Sequence, residues 1–269
     1  MQFLLVNDVC WFLLRPLTYA SKRLELSREN FLRRKQDDAN EAICKELFKS
    51  ETVLHGLFKG MRMGNIKATG SSIYPKLLGS YESEITPDLK EILNQQYDLL
   101  INVGSDEGYY AVGIARLQPG IKVYAFDCNK NAQARCGELA ILNGVQKQVN
   151  IKGCFDAAEL PVVTTREKAL FIVDCEGCEN AMLTAHLVQE FSSADFIIEL
   201  HFEKDPLIAG KLQALFAPTH NVRLVKALSD HERVMQYDFR EITGLDYEQK
   251  KYIVNERNNF MQWLIAKAK

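Results

Sequence analysis

The chain has 269 residues, of which 47% are hydrophobic and 25% are charged. This is the composition of a globular protein with a sizeable core, and it excludes an intrinsically disordered chain. The formal net charge of -2 gives no general attraction to nucleic acid or to an anionic membrane. The length allows one large α/β domain with an appendage.

The cysteines favour a reduced, cytoplasmic protein. They are Cys10, Cys44, Cys128, Cys136, Cys154, Cys175 and Cys178. Their number is odd, only the last two are closely spaced, and no secretory signal precedes them. The Cys175-x-x-Cys178 pair permits a zinc or redox site. Because it is a single pair that follows a core strand, two buried apolar side chains are the favoured interpretation.

The N-terminal region is predicted to be helical. The apolar residues before Arg15-Pro16 are too few to span a bilayer and lack the flanks of a signal peptide. The basic residues that follow permit an amphipathic helix on a membrane surface, but packing on the domain or on a second subunit is favoured. An apolar stripe from about Leu24 to Phe58 predicts a helix. We expect residues 1–70 to form a helical extension that supports a homodimer.

Strand and helix patterns alternate along the rest of the chain. A helix is expected from Thr86, as N-cap, to about Gln95, with Pro87 at its first position. The predicted strands are 99–103, 121–127, 149–151, 169–174, 196–201, 222–227 and 260–265. The predicted helices between them are 109–117, 129–142, 180–191 and 206–216. This order predicts a doubly wound sheet.

A glycine turn between the first strand and the next helix indicates a ligand site. It reads Gly104-Ser105-Asp106-Glu107-Gly108, and such a turn lies at the carboxyl end of its strand, where ligands bind in open α/β sheets. A dinucleotide site would need G-x-G-x-x-G, and the two acidic residues disfavour a pyrophosphate. A zwitterionic, sulfonium-bearing ligand such as S-adenosylmethionine fits better.

The next two loops supply the remaining adenosine contacts in this interpretation. Asp127 ends the second strand and is placed to accept hydrogen bonds from both ribose hydroxyls. Residues 153–156 follow the third strand and are expected to contact the adenine. Strand, turn, helix, strand and acid together make the prediction more specific than the glycines alone.

Several segments resemble the FkbM-like class of S-adenosylmethionine-dependent methyltransferases. They are Asn-Val-Gly-Ser-Asp-Glu-Gly-Tyr at 102–109, Tyr-Ala-Phe-Asp at 124–127, Ile-Val-Asp-Cys-Glu-Gly-Cys-Glu at 172–179 and Ile-Glu-Leu-His at 198–201. The resemblance covers about Tyr74 to Trp263. It implies a class I, Rossmann-like methyltransferase domain over residues 71–269. Such a domain has about seven strands, mostly parallel with the last antiparallel. The resemblance also implies O-methylation of a sugar or another small hydroxylated metabolite.

The predicted cofactor site combines the strand ends with the segment at 77–82, which also resembles that family. The residues expected to bind S-adenosylmethionine are Tyr81, Glu82, Asn102, Gly104, Ser105, Glu107, Gly108, Tyr109, Asp127, Cys128, Gly153, Cys154, Phe155 and Asp174.

Methyl transfer needs an aligned acceptor oxygen and a group that removes its proton. His201 is the preferred base because imidazole titrates near neutral pH, and Glu199 and Glu176 are the other catalytic candidates. A purely structural role for His201 stays equally open. Strand alternation predicts that Glu199 and His201 share a face. Asp174, Glu199 and His201 could also hold a divalent cation, although a metal-free site is favoured.

Two other functions remain open on the sequence. One is an NAD(P)-dependent oxidoreductase. The other is a non-catalytic module that keeps the fold and binds a partner through its helical arm. A nucleic-acid partner is not expected.

Overall fold

The computed structural model describes residues 8–64, 72–160, 167–256 and 261–269. The chain divides into two compact units, residues 1–49 and residues 50–269. The domain boundary predicted at residue 70 lies outside the described residues and stays a prediction.

The first unit contains one long helix, Asp8–Leu47. The helix predicted at 24–58 therefore begins earlier and ends earlier than expected. Residues 50–64 belong to the second unit and form turns that are closed by a bridge between Thr52 and Arg62. Gly56 lies in the left-handed region, with φ of 71°, which a continuing helix does not allow. Within the described part of the chain, no helix has the length and apolarity needed to cross a membrane.

The second unit is built on a seven-stranded sheet with the order β3-β2-β1-β4-β5-β7-β6. The strands are β1 Leu99–Val103, β2 Lys122–Phe126, β3 Val149–Lys152, β4 Ala169–Val173, β5 Asp195–Leu200, β6 His220–Lys226 and β7 Gln262–Ala268. The pairs among β1 to β5 are parallel, and β7 runs antiparallel to both β5 and β6. This arrangement confirms the predicted Rossmann-like class I methyltransferase sheet, including its antiparallel last strand.

The central strands are buried along their whole length, which explains their continuous apolar sequences. Every residue of β1, β4 and β5 is buried, as expected for parallel strands covered on both faces. Phe171 of β4 stacks on Phe196 of β5, with 4.5 Å between the ring centroids. This core fixes the register of β4 and β5, and with it the positions of the loops that follow them.

Helices connect the strands, and three of them, Ile73–Leu78, Asp230–Gln236 and Tyr247–Val254, were not predicted. Those of the second unit are Ile73–Leu78, Thr86–Leu93, Tyr109–Leu117, Lys130–Leu142, Glu179–Met182, Ala185–Glu190, Ile208–Phe216, Asp230–Gln236 and Tyr247–Val254. The helix predicted at 180–191 is two short helices, because Thr184 is extended and its side chain accepts a hydrogen bond from the Leu187 N–H. Thr86 is the first helical residue, and Ile85 is the N-cap.

Candidate active site

A cavity of about 270 Å³ lies at the carboxyl ends of β1, β2 and β4. Six residues predicted for the cofactor or for catalysis line it: Gly104, Asp127, Cys128, Phe155, Asp174 and Glu176. Seven further lining residues were absent from the predicted set: Val103, Asp106, Phe126, Asn129, Ala132, Cys175 and Cys178. Most of these are neighbours in sequence of predicted residues, so widening each predicted loop by one or two positions would have found them.

Gly104 allows the loops after β1 and β4 to touch. Its backbone is in the left-handed region, with φ of 75°, and a Cβ at this position would overlap the carbonyl oxygen of Asp174. The Gly104 N–H also donates to the carbonyl of Phe126, at 2.9 Å. Only glycine satisfies both the conformation and the close approach, so the β1 turn can reach both neighbouring strands.

Asp127 ties the loop after β2 to the loop after β1. One carboxylate oxygen accepts from the Asp106 N–H at 2.9 Å, and the other accepts from the Asn129 N–H at 2.8 Å. The side chain is half-buried and lines the cavity. Each oxygen keeps a lone pair beyond the one used here, so the carboxylate is oriented and still able to accept from a ligand.

The two acidic residues of the glycine turn lie in different environments. Asp106 lines the cavity and contacts Arg135 at 3.2 Å. Burial, followed by the hydrogen bond and charge of Glu107, raises the pKa of Asp106 to about 7. Glu107 is fully buried and forms an ion pair with Lys76. Burial opposes its ionisation, but the charge of Lys76 holds the pKa of Glu107 below its ordinary value. The charge argument made from these two acids therefore applies to Asp106 alone, because Glu107 does not line the cavity.

The other predicted cofactor residues lie away from this cavity. Asn102, Ser105 and Tyr109 are buried around β1 and the helix that follows it. Tyr81 packs edge-on against the Tyr109 ring, with 5.4 Å between the centroids. Glu82 accepts a hydrogen bond from the Tyr110 hydroxyl. None of these five residues lines the cavity. Gly108 and Gly153 also do not line the cavity.

A larger cavity of about 690 Å³ adjoins the first one. It shares Cys128, Phe155 and Cys178 with the smaller cavity, and Cys154 lines it too. Its wall includes Met182 and Leu187 and is mainly apolar. The two cavities together give room for a cofactor and a second, partly apolar molecule.

Four of the cysteines form disulfides, which corrects the expectation of reduced thiols. Cys128 is bonded to Cys154, and Cys175 is bonded to Cys178. Cys128 and Cys154 are 26 residues apart in sequence, but they follow the adjacent strands β2 and β3, whose pairing brings them together. Cys175 and Cys178 are only half-buried and line the cavity, so the interpretation as two buried apolar side chains was wrong.

The turn after β4 meets the end of β5 in a cluster of three carboxylates and one imidazole. His201 is buried, and its Nδ1 lies 2.7 Å from Oε1 of Glu179. The opposite nitrogen, Nε2, lies 3.3 Å from Oε2 of Glu176 and 3.6 Å from Oδ1 of Asp174. We call these four residues the His201 cluster. The cluster opens to the cavity through Asp174 and Glu176.

The charge state of His201 follows from its carboxylate neighbours. Burial opposes protonation, but the hydrogen bond to Glu179 and the charges of Glu179, Asp174 and Glu176 raise the pKa of the imidazole above its ordinary value. The hydrogen bond to His201 likewise holds the pKa of Glu179 below its ordinary value, against the effect of burial.

Glu199 lies outside the His201 cluster, contrary to the prediction from strand alternation. It is buried and lines a separate small cavity with Arg233, Glu256 and Trp263. The alternation rule failed because β5 ends at Leu200, so His201 already belongs to the following turn. Of the three predicted metal candidates, Asp174 and His201 come together, and Glu176 takes the place that was assigned to Glu199.

Comparisons with known proteins find likeness only among solved structures. No protein-family model and no curated protein matches the chain. An O-methyltransferase from Bacillus cereus in complex with SAH is 11% identical over 71% of this chain and 82% of that chain, with a TM-score of 0.45. The O-methyltransferase TomG from Streptomyces achromogenes, in complex with SAM, is 10% identical over 72% and 83%, with a TM-score of 0.46.

A SAM-dependent O-methyltransferase from Thermotoga maritima is 12% identical over 68% of this chain and 64% of that chain, with a TM-score of 0.44. Likeness of this degree assigns no activity to the chain. The fold class rests on the strand order, and the function has to be argued from the site.

Proposed function

We propose that the protein is an S-adenosylmethionine-dependent methyltransferase that O-methylates a hydroxyl on a sugar or another small metabolite. The observation that carries the proposal is the cavity at the carboxyl ends of β1, β2 and β4, with Gly104 at its floor and Asp127 at the end of β2. In open α/β sheets this edge is where nucleotide-containing ligands bind, and the acid after the second strand accepts from the ribose.

The charge of the cavity favours a sulfonium over a pyrophosphate. Among the described residues that line it, the charged ones are all acidic: Asp106, Asp127, Asp174 and Glu176. Even without Asp106, whose pKa is raised to about 7, three carboxylates would repel the phosphates of a nicotinamide dinucleotide, whereas a positively charged sulfur is attracted to them. This difference supports the methyltransferase over the oxidoreductase alternative.

The proposed binding mode divides the cofactor among three loops. Asp127 would accept from the ribose hydroxyls, because its carboxylate is already oriented by two backbone N–H groups. Phe155 lies edge-on to Phe126, with 5.2 Å between the ring centroids, and offers an apolar surface to the adenine. The methionine end would then lie toward Gly104 and Asp174, next to the His201 cluster.

The His201 cluster is placed to accept the proton of the acceptor hydroxyl. Glu176 has a side chain that is 69% exposed and stands between the cavity and the buried His201. Positioning of the acceptor can supply about 7–11 kcal/mol in favourable cases. Removal of its proton typically adds roughly 10²–10⁴-fold. Glu176 and His201 are therefore the proposed catalytic residues, and Glu199, which lines a different cavity, is not retained.

Calorimetric titration with S-adenosylhomocysteine tests the cofactor assignment. We expect the wild-type protein to bind it, and Asp127→Ala to weaken binding by about tenfold or more because the ribose contacts are lost. Asp238→Ala, the same change at an exposed position, should leave the affinity unchanged. Equal affinity of Asp127→Ala and wild type, or binding of NAD in place of S-adenosylhomocysteine, would refute the assignment.

A turnover assay separates the enzyme from a non-catalytic module of the same fold. The protein is incubated with S-adenosylmethionine and a panel of hydroxylated sugars and small metabolites, and release of S-adenosylhomocysteine is measured. We expect acceptor-dependent release, reduced in Glu176→Gln. Cofactor binding without release for any acceptor in the panel would favour the non-catalytic alternative.

A homodimer through the N-terminal helix is also part of the proposal. On the helix Asp8–Leu47, Tyr19, Leu24 and Phe31 are each more than half exposed, and large exposed apolar side chains are typical of contact surfaces. Light scattering should give a dimer mass for the wild type and a monomer mass for the double variant Leu24→Glu, Phe31→Glu. A monomeric wild type would refute this contact.

The cytoplasmic location stays a prediction, and the disulfides count against it. Disulfides such as Cys128–Cys154 persist mainly in oxidising compartments. The location can be tested by fractionation of the cells that make the protein, followed by thiol labelling of each fraction.

A further inference from the structure

We propose that Asp174, Glu176 and His201 form a binding site for a divalent cation with the ligand preference of Mn²⁺ or Mg²⁺. The binding itself does not depend on the methyltransferase assignment. Its catalytic use rests on the proposed function, because it would act on the acceptor hydroxyl.

The donor atoms have the spacing of a shared ligand set. One atom from each of the three residues lies within 4.8 Å of the other two. Nε2 of His201 is 3.3 Å from Oε2 of Glu176 and 3.6 Å from Oδ1 of Asp174. Neighbouring ligands around an octahedral cation at about 2.1 Å lie roughly 3 Å apart. Small side-chain movements are therefore enough to bring all three atoms to bonding distance.

The second, independent observation is the buried imidazole nitrogen that faces this space. His201 is 1% exposed, and its Nε2 makes no hydrogen bond within the described structure. The other nitrogen is occupied, because Nδ1 lies 2.7 Å from Glu179, a buried carboxylate that also accepts from the Gly177 N–H at 3.2 Å. A carboxylate of this kind fixes the proton on Nδ1 and leaves the Nε2 lone pair directed away from it.

This carboxylate–histidine pair is the arrangement that orients metal-binding imidazoles. With the proton on Nδ1, the Nε2 lone pair would otherwise point toward two carboxylate oxygens, which is repulsive. A proton on Nε2 also relieves this repulsion, so a cation would compete with that proton for the position between Nε2, Glu176 and Asp174. A cation between the three atoms removes the repulsion and gives the Nε2 lone pair of His201 a partner.

The local backbone holds these donors in place. Glu176 adopts a positive φ of 56°, a conformation that costs energy in a residue with a side chain and that clusters at functional sites. The Cys175–Cys178 disulfide closes the turn on either side of it. The strained residue is therefore held by a covalent bond, with its side chain directed toward Nε2 of His201.

The donor set selects the class of cation and leaves room for substrate. Two carboxylates and one imidazole suit Mn²⁺ or Mg²⁺, which prefer oxygen ligands. Three protein ligands leave coordination positions for water and for an acceptor oxygen, whose hydroxyl pKa would fall. The acceptor proton would pass to the second carboxylate oxygen of Glu176 while the oxygen forms its bond to the methyl carbon. The carbon–sulfur bond breaks with its electron pair left on sulfur, and the sulfonium becomes a thioether.

Titration of the metal-stripped full chain with MnCl₂, followed by electron paramagnetic resonance of free Mn²⁺, tests the site. We expect one Mn²⁺ per chain, and affinity lower by about tenfold or more in Asp174→Asn and in Glu176→Gln. Glu203→Gln, an exposed acid on the same loop as His201, should stay within about twofold of wild type. Absence of binding by the wild type up to about 1 mM Mn²⁺ would overturn the proposal.

The electron spin echo modulation of bound Mn²⁺ identifies the nitrogen ligand. We expect ¹⁴N modulation in the wild type and its loss in His201→Gln. Because His201 is buried, this variant is first checked for a native melting transition, and the exposed Glu176→Gln gives an independent result if it does not fold. Mn²⁺ binding that survives in both Asp174→Asn and Glu176→Gln, or a wild-type spectrum without ¹⁴N modulation, contradicts the ligand set.

Calorimetry with S-adenosylhomocysteine on the metal-stripped protein tests the methyltransferase assignment independently of the cation site. Cofactor binding without Mn²⁺ binding would refute only the cation site, and Mn²⁺ binding without cofactor binding would refute only the methyltransferase assignment.

Discussion

Two clusters in the second unit each place one basic side chain among three carboxylates, and they differ in their access to solvent. In the first, which we call the Arg233 cluster, Arg233 lies 3.0 Å from Glu256, 3.5 Å from Asp230 and 3.6 Å from Glu84. The side chains of Arg233, Glu84 and Glu256 are 4%, 4% and 3% exposed. In the His201 cluster, the side chains of Asp174 and Glu176 are 17% and 69% exposed.

In the Arg233 cluster, burial favours the protonated form of two carboxyl groups. Burial raises the pKa of Glu84 above its ordinary value and that of Glu256 well above it, although the charge of Arg233 opposes both shifts. The His201 cluster opens to a cavity of about 270 Å³ through the 69% exposed Glu176, so a ligand can supply the missing positive charge, whereas the cavity beside the Arg233 cluster measures only about 20 Å³. The comparison teaches that room for a ligand beside the carboxylates, rather than the count of charges, separates a structural cluster from a binding site.

The largest expected effect on stability comes from removing the positive charge of Arg233 from the Arg233 cluster. Arg233→Met should lower the free energy of unfolding by about 3–5 kcal/mol, because buried carboxylates lose their only cationic neighbour in this group. Urea denaturation measures the change. Arg240→Met, whose side chain is 94% exposed, should cost about 0.5 kcal/mol or less. If the two substitutions lowered the free energy of unfolding equally, the Arg233 cluster would contribute no more to stability than an exposed arginine does.

A methyl group added at Gly104, beside the His201 cluster, should disturb the cofactor site. Gly104→Ala places a Cβ against the carbonyl of Asp174, whereas Gly120→Ala, also at a positive φ, meets nothing within 4 Å. Both variants pay about 1–2 kcal/mol for the left-handed conformation. Only Gly104→Ala should also weaken binding of S-adenosylhomocysteine, by about tenfold or more. Calorimetry that finds the same affinity in both variants would contradict the role of this close approach.

The pH dependence of stability should report the raised pKa of Glu256 in the Arg233 cluster. Glu256 keeps its proton in the folded state above the ordinary value near 4.5, at which the unfolded chain releases it. The folded state then binds more protons, so the free energy of unfolding falls as pH rises from that value through the raised pKa. The slope from one such group is at most about 1.4 kcal/mol per pH unit.

Glu256→Gln should flatten this slope, and Glu248→Gln on the exposed side of the helix Tyr247–Val254 should keep it. Denaturant titrations at a series of pH values above 4.5 give the comparison. A slope that is unchanged in Glu256→Gln would show that its proton is not part of the folded state.

The smallest expected effect on stability is that of a substitution at Glu176 in the His201 cluster. Glu176→Gln should change the free energy of unfolding by about 0.5 kcal/mol or less, because the side chain is 69% exposed. The same variant is expected to lose activity and cation affinity. A loss of stability comparable with that of Arg233→Met would make Glu176 a structural residue.

The strands were predictable because their signal is local. The apolar run predicted at 169–174 is observed as β4, Ala169–Val173. The run predicted to begin at Leu99 and to stop at Asn102 and Gly104 is observed as β1, Leu99–Val103. A buried parallel strand reads as a continuous hydrophobic segment, so its position needs no knowledge of its neighbours. The doubly wound, mostly parallel sheet was predicted from the alternation of strands with helices, and its antiparallel last strand from the family resemblance.

The details of the site depended on distant pairings that the sequence does not display. The partner of Glu107 is Lys76, 31 residues away, and this ion pair removes the acid from the ligand side of the turn. Cys128 and Cys154 meet only because β2 pairs with β3. Glu199 was misplaced because the strand ends one residue before His201. Each error concerned a side chain whose direction is set by tertiary contacts.

A crystal structure of the protein with S-adenosylhomocysteine tests the central claim most directly. The account predicts the ligand in the cavity at the ends of β1, β2 and β4, with both ribose hydroxyls within hydrogen-bond distance of Asp127 and the adenine against Phe155. It also predicts the sulfur on the side of Asp174 and Glu176. A ligand bound elsewhere, or one bound there without contact to Asp127, would contradict it.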